Sequence, residues 1–145
     1  MSQWTHFLGV VRFDSMNLNV WPKPPQVEKV ALHEVNEIHR LFQSVSEPRG
    51  SEGPIDFETV LTNRGPTVVI TGDLRDYGYD DLPEVVTWLN EVIFNINSFS
   101  NDKGWMIFIR DSFIRCEVES NSDMIAIQYD HDKKEFQLTK YNEIT

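Results

Sequence analysis

Eight apolar residues, Val27, Val30, Ala31, Val35, Ile38, Leu41, Phe42 and Val45, recur at helical spacing, and no other feature limits the folds open to this chain as much. Side chains so spaced line one face of a helix, and that face needs a second layer to bury it. Glu34 intrudes on the stripe, and Pro48 marks its end. A second stripe, Leu82, Val85, Val86, Leu89, Val92, Ile93 and Ile96 with Trp88 on its border, predicts a second helix. Asp80 or Asp81 can cap it, Pro83 fits its first turn, and residues 97–104 are expected to end it and turn.

The covering layer is a sheet. Residues 5–13 are rich in Val and Phe around Gly9, and an interior glycine marks a bulge or a close backbone approach. Residues 14–26, containing Trp21-Pro22-Lys23-Pro24-Pro25, are expected to form an extended connection into the first helix. Ile55, Phe57, Thr59 and Leu61 alternate with Asp56, Glu58, Val60 and Thr62, the period of a strand with one wet face. Arg64-Gly65-Pro66 then turns into a β-branched run, so that 55–62 and 67–74 pair as a hairpin. Strands at 105–110, 113–119, 124–130 and 135–141 predict a meander with turns at Asp111-Ser112, 120–123 and 131–134. The order β-α-β-β-α-β-β-β-β predicts one α+β domain over residues 1–145, an antiparallel sheet with two helices on one face. Its first six elements follow the ferredoxin-like βαββαβ pattern, extended by C-terminal meander strands.

A chain of 145 residues can bury roughly 70% of its unfolded surface, so its core needs no covalent or metal staple. Cys116 is the only cysteine, which rules out an intrachain disulfide and favours a reducing compartment. The N-terminus shows no basic, apolar leader, and every apolar run is far shorter than the ~20 residues of a spanning helix. A cytoplasmic location, with no membrane contact, is therefore expected. The net charge of −10 repels a phosphate backbone, so direct nucleic-acid binding is disfavoured. Such acidity serves solubility, or it recognises a protein partner with a basic surface.

Three places could carry chemistry. The turn after the third strand brings four carboxylates, Asp73, Asp76, Asp80 and Asp81, which as hard oxygen donors suit Mg²⁺ or Ca²⁺, although their spacing fails the EF-hand template. Arg49, Gly50, Ser51, Glu52 and Gly53 offer loop amides, a hydroxyl and a guanidinium to an anion, and Arg75 adds a second guanidinium. This loop lacks the spacing of a phosphate loop or a GxSxG elbow, and its structural alternative is a plain helix-to-strand connection. Trp21, in its Pro-rich loop, is the candidate interface anchor. The four histidines show no metal-ligand spacing, and Cys116 reads as a small strand residue rather than a nucleophile.

The stretches Gly50-Ser51-Glu52-Gly53 and Ile70-Thr71-Gly72-Asp73-Leu74-Arg75-Asp76, with Trp4-Thr5-His6, resemble small uncharacterised proteins of phages and prophages. The resemblance implies no activity, only a setting: a bacterial host cytoplasm, in which small acidic phage proteins often inhibit host or defence proteins; it carries over no functional residue. The leading expectation is a non-enzymatic protein-binding or regulatory module. One rival is a nucleotide or small-molecule domain in which the 49–53 loop and the 73–81 turn share a pocket. A second is a structural subunit or homo-oligomer joined through a strand edge or the meander.

Overall fold

Strand β1 (Trp4–Asn17) is the axis on which the rest assembles. The computed structural model describes residues 3–17, 24–62, 65–119, 121 and 123–141. Helix α1 (Pro24–Gln43) leads into two short strands, β2 (Arg49–Gly50) and β3 (Gly53–Pro54), and then the hairpin β4 (Asp56–Thr62) and β5 (Gly65–Arg75). A 3₁₀ turn at Tyr79–Asp81 precedes α2 (Leu82–Lys103), followed by β6 (Trp105–Val118), β7 (Met124–Asp130) and β8 (Glu135–Tyr141). The six long strands form one antiparallel sheet in the order β4-β5-β1-β6-β7-β8. The molecule is therefore α+β, with more sheet than helix around its two helices.

Several boundaries differ from expectation, each for a local reason. Helix α1 begins at Pro24 rather than Val27, because prolines are tolerated in a first turn whose amides have no helical partner anyway. Helix α2 continues through 97–103, where a turn was expected. Phe99 packs against the core and holds this weakly helical stretch, and Gly104 closes it in the left-handed conformation, φ 69°, donating its N–H to Ser100 O. The Asp111-Ser112 turn is absent. Residues 105–118 run as one strand, so the meander has three strands rather than four, and the expected element order is further broken by β2 and β3.

The core lies between the sheet and both helices. Phe7, Val11 and Phe13 of β1 point into it with Val68, Ile70 and Leu74 of β5 and Ile107, Ile109 and Ile114 of β6. From the helices come Val35, Ile38, Leu41 and Phe42, and Leu82, Val85, Trp88, Leu89, Val92, Ile93 and Ile96. Trp88, read from the sequence as a border residue, is buried within an aromatic cluster that joins both helices to the sheet. At the β8 edge, Asn90 of α2 accepts the Phe136 N–H at 2.7 Å, so the helix occupies backbone that would otherwise invite another strand.

Candidate functional site

Both helices cover one face of the sheet, and the residues of opposite parity form its other face. There Leu8 lies opposite Thr71 and Arg115, while Val10 lies between Val69 and Phe113. Leu8 is 66% exposed and Phe113 39%, in the two strands at the middle of the sheet. Phe108 and Met106, opposite Asp14 and Met16, continue the apolar strip along β6 and are also exposed. An antiparallel sheet with one wet face normally carries polar residues there. Asp56, Glu58, Asp73 and Glu117 ring this strip on the same face by register, and Arg12, Arg75 and Arg115 are its cations.

A bulge opens a recess beside it. Pairing of β1 with β6 runs Arg12 to Asp111 and then Phe13 to Ile109, so Arg110 is the extra residue. The bulge bends β6 away from β7, whose pairing is confined to Ile114–Cys116 with Ile125–Ile127. Side chains take over the ladder's work: Ser112 Oγ accepts Tyr129 N–H at 2.8 Å, and His131 Nε2 lies 3.0 Å from Arg110 O, to which it donates. The gap is a polar recess of about 410 Å³ lined by Asp111, Ser112, Gln128, Tyr129, Asp130, His131, Gln137 and Thr139. Nothing in the sequence marked this place. Asp-Ser reads as a turn, and only the partner strand reveals the bulge.

The hairpin does bring the two punctuated loops together. Gly50 approaches Arg75 so closely that a Cβ there would sit 2.5 Å from the Arg75 carbonyl oxygen. Ser51 N–H donates to Arg75 O at 2.9 Å, and Arg75 Nη1 donates to Glu52 Oε1 at 2.6 Å. Arg49 and Gly50 pair with Pro54 and Gly53 as the two short strands. Two of the donors an anion would need, the Ser51 amide and the Arg75 guanidinium, are thus engaged within the loops, and the recesses described here are lined by other residues.

The four aspartates part company. Asp73 goes to His6; Asp81 Oδ2 accepts Gly78 N–H at 2.8 Å; Asp76 turns the chain at φ 58°, and Asp80 is exposed. Among the described residues no three His, Cys, Asp or Glu side chains are grouped to hold a metal ion. Between Asp76 and Asp80, Tyr77 is buried, its carbonyl accepting from Thr5 Oγ1 and its hydroxyl donating to Asp81 O, so this turn is packed structure. Trp21 lies outside the described residues. Cys116 is buried under the helices, which pushes its thiol up to about 12. That keeps it protonated and unreactive.

His6 forms an ion-pair network on the open face that joins the ends of three strands. Its Nδ1 lies 2.6 Å from Asp73 Oδ1 and its Nε2 3.0 Å from Glu119 Oε1, with the Trp4 ring stacked alongside. The hydrogen bond to Asp73, then that to Glu119, raises its pKa above the ordinary 6.5, against a smaller opposing effect of burial. A pKa raised by folding means stabilisation that is complete below pH 6.5 and lost as the pH rises through the higher native value. The three groups are well exposed, so the effect stays under about 1 kcal/mol. An NMR titration of the His6 ring should show a midpoint above 6.5, returning toward 6.5 in Asp73→Asn; an unshifted midpoint would contradict the pairing.

Comparison of the chain with protein-family models, with curated proteins and with solved structures finds no match in any of the three. No helix among the described residues is long and apolar enough to cross a membrane.

Proposed function

We propose that this protein is a binding module, and that the open sheet face receives a segment of another protein with an apolar centre and basic flanks. The single observation carrying this is Leu8, exposed in the central strand and set among Val10, Val69 and Phe113 within a charged rim of carboxylates and arginines. Contiguous apolar surface rimmed by polar groups marks an interaction site. The rim selects the partner: Lys and Arg complement Asp56, Glu58 and Glu117, and a basic side chain reaching the neighbouring recess meets Asp111 and Asp130. Two copies of a chain carrying −10 would oppose their like charges across this face, which disfavours a homodimer there. Both helices pack on the other side of the six-stranded sheet, which leaves this face free. With the resemblance to small phage proteins, the reading makes the partner a bacterial host or defence protein.

Titration of the labelled protein with short basic peptides containing leucine tests it. Chemical shifts should move at Leu8, Val10 and Phe113, affinity should fall with added salt, and Leu8→Ser should raise Kd about tenfold, the loss of ~1.4 kcal/mol. Because Leu8 is exposed, that variant keeps the fold. Shifts that avoid this face, or an affinity indifferent to Leu8→Ser, would defeat the proposal.

A further inference from the structure

We infer a second docking site, on the helical layer rather than the sheet, that takes a short amphipathic basic helix from another protein. Two recesses of about 500 Å³ and about 310 Å³ share Val45, Thr87 and Glu91, and so form one groove between α2 and the segment after α1. Along α2 its wall is Glu84, Thr87, Glu91 and Phe94, spaced three and four residues apart on a single helical face. That face spans nearly three turns, ~15 Å, the length a short docked helix needs. Val45 and Pro48 form the facing wall.

Two independent features mark the groove for a ligand. Phe94 is 70% exposed, the highest value for any large hydrophobic among the described residues, on a helix whose other large apolar side chains serve the core. The charged residues lining the groove, Glu84 and Glu91, are both acidic. Trp88 also lines it while 3% exposed, so its indole reports on anything that settles there. A helix laying a large apolar side chain against Phe94 and Val45, with Lys or Arg opposite Glu84 and Glu91, satisfies the wall and its charge together. A second copy of this acidic chain would bring like charge to the same carboxylates. The groove does not share residues with the open sheet face, so the two sites stand or fall separately.

The experiment is an NMR titration of the isotope-labelled full chain with a helical leucine–lysine peptide at physiological ionic strength, with a leucine–glutamate peptide as control. The basic peptide should shift Thr87, Glu91, Phe94 and the Trp88 indole N–H and saturate, while the acidic peptide leaves them in place. Phe94→Ala, which keeps the charge, should raise Kd about tenfold, and Glu91→Gln should raise it by a smaller factor that shrinks in salt. Both residues face solvent or line the groove, so a matched spectrum of the free variants certifies their fold. Shifts confined to Leu8, Val10 and Phe113, no shifts at all, or a Phe94→Ala affinity within about twofold of the parent's would each overturn the groove.

Discussion

Gly9→Ala is expected to destabilise the domain by about 3 kcal/mol or more, at or above the usual ceiling for overpacking. A Cβ on Gly9 would sit 2.2 Å from the Phe113 carbonyl oxygen and 2.4 Å from Ile114 Cα. Both are backbone atoms of the strand paired along nearly the whole of β1, so no side chain can rotate out of the way. Relief requires separating β1 from β6 at the middle of the sheet, where Phe7 and Val11 on one strand and Ile114 on the other face the core. Gly72→Ala is the control: its nearest neighbours would be Ile55 Cγ1 at 3.2 Å and Ile55 Cα at 3.3 Å, contacts that a shift of a few tenths of an ångström relieves. Urea unfolding of the pair should give a large drop in midpoint for the first and a small one for the second. Equal midpoints would show that the close approach of β1 and β6 is wrong.

Phe42→Ala should cost about 3–5 kcal/mol, a large share of the roughly 5–15 kcal/mol that holds a domain folded. Phe42 is fully buried and contacts three other rings: Phe13 at 6.3 Å, Phe57 at 5.6 Å and Trp88 at 5.8 Å between centroids. Those rings come from β1, β4 and α2, so the phenyl group is where α1 is fastened to the rest of the molecule. Its removal takes away the transfer energy and leaves a cavity that four separate elements would have to move to fill. Phe42→Leu retains most of the volume and should recover most of the loss. Near-parent stability of the alanine variant, measured by urea or heat, would mean the aromatic cluster is not the joint between the layers.

Helix positions were legible in the residues, since burial imposes a period that the sequence must obey; the strand faces were legible only in part, with Ile55 buried but Leu61 45% exposed and the adjacent Phe113 and Ile114 leaving their register open. Ile38, Leu41 and Phe42 of the first stripe and Val85, Leu89 and Val92 of the second are all core. Gly9 was legible too, because only the absence of a side chain permits the approach seen there. The 49–53 loop meets Arg75, where β5 runs into the 73–81 stretch, at one end of the hairpin, as the pairing of 55–62 with 67–74 required. What that contact would leave for a ligand was not legible. Glu52 takes Arg75 and His6 takes Asp73, and such pairings depend on side chains 23 and 67 residues apart in the chain.

The sequence by itself determined two amphipathic helices, strands of mixed polarity, one free cysteine and a strongly acidic exterior, because each follows from local period or composition. Tertiary structure alone decided where the apolar surplus ends up. Leu8 and Val10 lie in an apolar strand, and the register that turns Phe7, Val11 and Phe13 to the core leaves those two on the open face. It also decided that 105–118 is one bulged strand, since β1 continues to Asn17 and supplies the pairing that carries β6 through Asp111-Ser112. Which face is covered and which backbone groups find partners are set by strand order, and strand order is a property of contacts distant in the chain.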